Sequence, residues 1–269
     1  MRALATRGVT VRALVRRPEQ AALVRGLGAA DALIGDIQDR KTIAAAMQGI
    51  RAIYYICPNM HPHEIAIGEM MIEAAQQAGV KHFVYHSVLH PQIESMPHHW
   101  AKLRVEERLF ESGLPFTILQ PTAYMQNILA QQQRILQDGV YPLPYRTGAR
   151  LSLVDLADVG EAAAIVLTQP GHCYATYELC GTRPLSQDEV ATAISKQIGR
   201  DVHPQVVDLA DWREQARRSG LGPYQIDILS CMFRYYDAFG LVGNANVLGW
   251  LLGRSPTNLS EFIHRSFIV

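Results

Sequence analysis

The sequence of 269 residues has no net charge, no C-x-x-C pair and no long apolar run. Lys plus Arg and Asp plus Glu number 25 each, which excludes a basic surface for nucleic acid and an acidic tail. The four scattered cysteines indicate free thiols in a reducing compartment. No apolar run approaches the roughly 18 residues of a membrane span. These absences predict a cytoplasmic protein that binds neither nucleic acid nor membrane.

Three motifs of phosphate and ester chemistry are also missing. There is no G-x-x-x-x-G-K loop, which excludes a P-loop nucleotide site. There is no G-x-S-x-G sequence, which disfavours a serine hydrolase. Neither G-x-G-x-x-G nor G-x-x-G-x-x-G occurs near the N-terminus, where such a loop would hold a dinucleotide pyrophosphate on backbone amides.

What the sequence does contain is a regular alternation of strand and helix patterns. Strands are predicted at 9–15, 32–34, 50–57, 80–88, 115–119 and 174–180, with helical segments between most of them. This order predicts an α/β fold with a doubly wound, parallel Rossmann-type sheet. Beyond residue 139 the rhythm loosens. We expect a dinucleotide-binding domain over residues 1–180 and a small, mostly helical C-terminal subdomain over 181–269 for a substrate or partner.

Several segments resemble the NmrA-like family of atypical short-chain dehydrogenases/reductases. They are V-R-A-L-V-R-R-P-E-Q at 11–20, G-D-I at 35–37, A-G-V-K-H-F-V-Y-H-S at 78–87, H-W-A-K-L-R-V-E-E-R-L at 99–109, S-G-L-P-F-T-I-L-Q-P at 112–121 and V-D-L-A-D-V-G-E-A-A at 154–163. The order and spacing of these segments fit the family up to about residue 180. The resemblance implies an NAD(P)-binding Rossmann domain that here lacks its first strand and glycine-rich loop.

The missing first strand has structural consequences, because it is central in a Rossmann sheet. Either the start codon was placed too far downstream, or the chain was shortened, or the natural protein has closed the gap. We expect strand 9–15 to pair directly with 50–57, to accept a strand from another copy, or to border a defective seam. If the chain starts at Met1, NADP(H) binding should be weakened or lost, because the pyrophosphate has no backbone cradle.

Two arginines at the end of the first visible strand favour NADP(H) over NAD(H). The guanidinium groups of Arg16 and Arg17 match the oxygens of a ribose 2′-phosphate, although two solvated arginines are the alternative. Asp36 either borders the adenine or caps a turn. The resemblance implies that the cofactor-binding residues follow successive strands: Arg16, Arg17, Asp36, Ile37, Cys57, Pro58, Ser87, Lys102, Pro121 and Tyr124.

Lys102 is the strongest catalytic candidate, because the family places its active-site lysine there and the chain has only four lysines. Short-chain enzymes carry a tyrosine four residues earlier, where this sequence has His98. A neutral histidine can donate or accept a proton near pH 7. The alternative is a surface pair between Lys102 and Glu106 beside a solvated histidine.

Seven of the ten histidines lie between residues 61 and 99. They form no H-E-x-x-H motif and have no cysteine partner, so no metal site is predicted. A polar pocket wall and solvated loop histidines are the remaining interpretations.

The resemblance implies an NADPH-dependent reductase of a small carbonyl, quinone-like or dye-like substrate, and the enzymatic assignment stays open at this point. One alternative is a non-catalytic, redox-sensing regulator that binds NADP(H) and a protein partner. The other is a scaffold that has lost its cofactor. A homodimer is compatible with each of them.

Overall fold

The computed structural model of the chain describes residues 1–267 and contains alternating helices and strands. The helices are α1 Arg2–Ala5, α2 Pro18–Gly26, α3 Arg40–Met47, α4 Glu64–Gln77, α5 Pro97–Glu111, α6 Gln132–Asp138, α7 Leu156–Thr168, α8 Gln187–Ile198, α9 Leu209–Arg218, α10 Pro223–Phe239, α11 Ala245–Leu252 and α12 Leu259–Phe267, with a 3₁₀ helix at Met125–Gln131. The strands are β1 Arg12–Val15, β2 Asp31–Ile34, β3 Ala52–Tyr55, β4 His82–His86, β5 Phe116–Pro121, β6 Ala123–Tyr124, β7 Val140–Leu143, β8 Arg150–Leu151, β9 Leu153–Val154, β10 Ala175–Leu179, β11 Leu185–Ser186 and β12 His203–Val206.

The main sheet has four strands in the order β10-β5-β4-β3. Strands β3, β4 and β5 are parallel, with Ala52 opposite His82 and Phe83 opposite Phe116. Every residue of β5 is buried, whereas the near-continuous apolar run at 50–57, which predicts a strand buried on both faces, forms β3 with alternating buried and half-buried residues. The prediction of a mixed α/β, Rossmann-like fold is therefore confirmed.

Strands β1 and β2 form a separate parallel pair, in which Arg12 is opposite Asp31. Within residues 1–267, β1 pairs with β2 alone and has no ladder with β3. Direct pairing of strand 9–15 with 50–57 is therefore wrong. The defective seam and the pairing with a strand from another copy stay predictions.

The chain forms two compact units that interleave along the sequence. Unit 1 consists of Met1–Ser87, Ala101–Leu119 and Gly160–Thr176, and unit 2 consists of the remaining segments of the described chain. Each unit has a core of its own, formed by side chains such as Ile67 and Phe83 in unit 1 and Met125 and Phe262 in unit 2. A functional division near residue 180 stays a prediction.

Two of the strands that the sequence did not indicate contain proline, which normally argues against a strand. Strands β7 and β12 pair in parallel although they contain Pro142 and Pro204. Proline is tolerated in edge strands, where its missing N–H costs no ladder hydrogen bond. The sequence pattern of 124–137 predicts one helix, and the structure has a 3₁₀ helix followed by α6 in this segment.

Helix ends follow the expected capping chemistry. Asp39 precedes α3 and accepts hydrogen bonds from the backbone amides of Lys41 and Thr42. None of the helices within residues 1–267 combines the length and apolar character required to traverse a bilayer.

Candidate functional site

The carboxyl ends of the unit 1 strands collect most of the predicted site residues. Arg16 follows β1, Asp36 follows β2 and His61 lies in the loop after β3. Burial lowers the pKa of His61, with a further lowering by His63. The charges of Asp36 and Arg16 also act on this imidazole, in opposite directions. Charges on the loops after β1 and β2 therefore act on a residue of the loop after β3, although the strands belong to two sheets.

Arg16 and Arg17 are both exposed and are held by a well-defined turn. Their backbone amides donate to Oε1 of Gln20 at 3.1 and 2.9 Å. The Arg17 guanidinium pairs with Glu19 at 3.0 Å, while no ion pair to Arg16 exists within the described chain. An exposed guanidinium beside the end of β1 fits a phosphate group.

Asp36 caps a turn: its Oδ1 accepts a hydrogen bond from the amide of Gln38 at 2.9 Å. The capping interpretation of this residue is therefore correct, and its second carboxylate oxygen remains compatible with a neighbouring ligand. Ile37 is half-buried and packs against the unit 1 core.

Cys57 and Pro58 follow β3. The Cys57 thiol is buried, and burial together with the charge of Glu64 raises its pKa to about 11. A thiol with that pKa stays protonated at neutral pH, so Cys57 is not a thiolate nucleophile. Pro58 is exposed and ends the strand region.

Lys102 lies on α5 and pairs with Glu64, the first residue of α4. The distance from Lys102 Nζ to Glu64 Oε1 is 2.6 Å, and the two side chains are 14% and 2% exposed. The Tyr85 hydroxyl donates to the same carboxylate oxygen at 3.3 Å. The ammonium also lies 5.7 Å from the centroid of the Tyr85 ring. The interpretation of Lys102 as part of a solvated surface pair is therefore wrong.

A second buried carboxylate lies next to the candidate serine. Ser87, directly after β4, donates its hydroxyl proton to Glu106 of α5, and both residues are buried. Glu106 was expected on the surface, and its burial corrects that expectation.

Tyr54 and His86 form a further polar contact at this edge of the sheet. Their hydroxyl oxygen and Nδ1 are 2.6 Å apart. Burial, followed by the charge of Lys102, lowers the pKa of His86 to about 3, so the imidazole is neutral at physiological pH. His86 is thus no solvated loop residue, and neither are His98 and His99, which are also buried.

The remaining predicted site residues belong to unit 2. The His98 ring contacts the His99 ring edge-on, with centroids 4.5 Å apart. The carbonyl of Pro121 accepts from the amide of Leu89 at 2.9 Å. Burial raises the pKa of Tyr124, which precedes the 3₁₀ helix, to about 12. Tyr124 therefore stays neutral at physiological pH.

Sequence reasoning missed Glu64 and Tyr85, and it placed Glu106 on the surface. Glu64 has the sequence signature of an acidic residue in the first turn of a helix, which is normally solvated. The sequence carries no local signal for the burial of Glu64, because its partner Lys102 lies 38 residues away.

The residues at this edge of the sheet fit parts of a dinucleotide. The exposed guanidinium of Arg16 matches a 2′-phosphate, and Ser87 and Lys102 offer polar groups suited to a ribose. Within residues 1–267, no strand-to-helix turn is glycine-rich, so no backbone group is assigned to a pyrophosphate.

Comparison with known proteins places these features in context. The NAD(P)H azoreductase of Xenophilus azovorans is 28% identical over 253 residues, which cover 93% of this chain and 87% of that protein. Quinone oxidoreductase 2 of Escherichia coli is 28% identical, over 96% of this chain and 89% of that protein. The crystal structure of an NADPH-dependent quinone oxidoreductase of Escherichia coli with NADPH has a TM-score of 0.85 and 26% identity, covering 98% of this chain and 94% of that one. The NmrA-like family model matches residues 1–263, and the chain therefore belongs to the NmrA-like family.

Proposed function

We propose that this protein is an NADPH-dependent reductase of a small carbonyl, quinone-like or dye-like acceptor. The observation that carries the proposal is similarity along nearly the whole chain to an azoreductase and a quinone oxidoreductase. The fold agrees with that of a related quinone oxidoreductase in complex with NADPH. Similarity of this extent includes the sheet edge where the polar residues of unit 1 collect.

Cofactor choice is assigned to Arg16 and Arg17. A guanidinium donates two parallel, charge-assisted hydrogen bonds to a phosphate, which a 2′-hydroxyl cannot accept in the same way. Asp36, Ile37, Cys57 and Pro58 border the cofactor from the ends of β2 and β3. In unit 2, Pro121 and Tyr124 are assigned to the nicotinamide end.

NADPH, when bound, supplies the hydride. The protein's own contribution is to orient the acceptor, exclude water and provide a proton. Lys102 is the favoured residue to place a positive charge near the acceptor and to donate the proton, because its ammonium is already desolvated and fixed by Glu64. Ser87 is assigned to orientation of the ribose. His98 and water are the alternative proton sources.

The test measures NADPH consumption with a quinone and with an azo dye as acceptors, alongside titrations of NADPH and NADH. We expect turnover with NADPH and tighter binding of NADPH than of NADH. Replacing Arg16 and Arg17 together with alanine should remove most of this preference, by about tenfold or more. Arg25→Ala, at the other end of α2, is the matched control and should leave it unchanged. Equal affinity of the unmodified protein for both cofactors would contradict the assignment.

The reductase is preferred to a non-catalytic NADP(H) sensor, because the relatives compared above are oxidoreductases by name. A protein partner, a homodimer and a cytoplasmic location stay predictions.

A further inference from the structure

The buried carboxylate of Glu64 is an unusual feature of unit 1. Burying a charged side chain costs several kcal/mol in lost hydration, and a partner offsets this cost only with good geometry. Glu64 has two partners, the Lys102 ammonium at 2.6 Å and the Tyr85 hydroxyl at 3.3 Å. A hydrophobic pair would pack at this position without that cost. The ion pair is therefore better explained by what it does to Lys102 than by stability.

The close approach of α4 and α5 sets the geometry of this pair. Gly68 lies one helical turn after Glu64, and a Cβ atom built on Gly68 would lie 2.6 Å from Cγ2 of Val105. Val105 follows Lys102 by three residues, so it is on nearly the same face of α5. The absent side chain of Gly68 thus lets the two helices approach, which brings the carboxylate and the ammonium together.

A second ion pair between the same helices provides an internal comparison. Glu69 of α4 pairs with Arg108 of α5 at 3.1 Å, but these side chains are 42% and 46% exposed. Exposed pairs of this kind contribute little and are screened by salt. If the buried pair served only to link α4 to α5, the exposed pair would provide the same link at a lower desolvation cost. The buried pair differs in lying beside Tyr85, at the ends of the central strands.

We propose that Glu64 is a positioning residue that holds the Lys102 ammonium in one orientation at the carboxyl ends of β3 and β4. Tyr85 completes the arrangement, because its hydroxyl donates to the carboxylate while its ring lies near the ammonium. The kinetic consequence of this inference rests on the proposed reductase function. The structural consequence, restraint of Lys102, does not depend on it.

Restraint of Lys102 is tested by amine labelling followed by mass spectrometry. The other three lysines, Lys41, Lys81 and Lys196, are exposed and serve as internal references. In Glu64→Gln we expect Lys102 to be acetylated at least about tenfold faster relative to them, because the amine that has lost its buried ion-pair partner becomes mobile and accessible to the reagent. Glu64→Asp should give an intermediate rate. Glu69→Gln, which breaks the exposed pair, should leave Lys102 unchanged.

The kinetic arm uses NADPH and a quinone with the same variants. We expect Glu64→Gln to lower kcat by about tenfold or more with less than about a threefold change in the KM for NADPH. The pH profile of kcat should shift, and Glu64→Asp should restore part of the rate. Glu69→Gln should keep kcat within about twofold.

The two arms separate the possible failures. Unchanged labelling of Lys102 in folded Glu64→Gln, or in Glu64→Asp should the first variant not fold, overturns the positioning role whatever the kinetics show. Faster labelling with an unchanged kcat overturns its importance for the reaction. If the wild-type protein fails to oxidise NADPH with any of the acceptors tested, the proposed function is overturned. The labelling arm still decides on the restraint of Lys102 in that case.

Discussion

Both units of the molecule contain a buried carboxylate in an ion pair, but the exposure of the cation differs. In unit 1, Glu64 faces Lys102, which is itself only 14% exposed. In unit 2, Asp158 pairs with Arg254 at 2.7 Å, and the arginine side chain is 44% exposed. Water therefore reaches the cation in unit 2 far more easily than in unit 1.

The other donors to the two carboxylates differ as well. Asp158 accepts from the backbone amide of Thr257 at 2.6 Å and from its hydroxyl at 3.2 Å. Among the described residues, Glu64 accepts a hydrogen bond from the Tyr85 hydroxyl besides the one from its lysine. A carboxylate that accepts a backbone hydrogen bond, such as Asp158, fixes the path of the loop that donates it. The charge of Glu64, which has side-chain donors, is balanced by the lysine. This contrast indicates an architectural role for Asp158 and a functional role for Glu64.

The largest effect is expected from removing the cation in unit 1. Lys102→Met leaves Glu64 buried and nearly unpaired, which should cost about 3–5 kcal/mol of unfolding free energy. The double variant Glu64→Gln/Lys102→Met should recover more than half of this loss, since no buried charge remains. Urea denaturation of the three proteins provides the measurement. A loss below about 1 kcal/mol for Lys102→Met would remove the contrast between the units.

Removing the cation in unit 2 should have a smaller effect. In Arg254→Ala, Asp158 keeps both hydrogen bonds from Thr257, and the lost arginine is partly solvated. We expect a loss of about 1 kcal/mol. The same denaturation experiment measures it. If Arg254→Ala proved as damaging as Lys102→Met, the backbone donors would not be the distinguishing feature.

The smallest effect concerns acid stability and Asp155, a second buried carboxylate of unit 2. Burial alone would raise its pKa, but hydrogen bonds from Ala157, Arg265 and Gln126 outweigh it and lower the pKa below its usual value. The ionised form therefore stabilises the folded state above pH ~4, and this contribution is lost as the pH falls through the folded pKa.

Unfolding curves at pH 7 and pH 3 test this sign. The stability of Asp155→Asn should fall less between the two values than that of the unmodified protein. An equal fall would show that Asp155 does not contribute to the acid transition.

The sequence predicted that the apolar run preceding Cys57 forms a strand, but it did not predict the burial of that strand, because alternate residues of β3 are only half-buried. It missed β7 and β12, whose residues Pro142 and Pro204 are normally strand breakers. Pairing in these strands is decided by contacts between segments about 60 residues apart in the sequence, such as Val140 with His203.

The candidate site was predictable to a similar extent. Lys102 and Ser87 could be found because they belong to motifs with a fixed place in the family. The partner of Lys102 could not be found, because Glu64 lies 38 residues away and reaches it only through the close approach of two helices. The expected partner one helical turn away, Glu106, accepts the Ser87 hydroxyl instead. Local spacing gave no information on either contact.

The separation of β1 and β2 from the four-stranded sheet also affects how the molecule opens. The amides of β4 and β5 lie in ladders on both sides, within strands whose residues are almost all buried. Strands β1 and β2 form a ladder with each other alone and contain a single buried residue, Ala32. Amide hydrogens in such a pair exchange with deuterated water through a local opening that leaves the four-stranded sheet intact. The strand pair next to Arg16 is therefore the part of the unit 1 sheets least protected from hydrogen exchange. A ligand bound to Arg16 should slow the exchange of these amides.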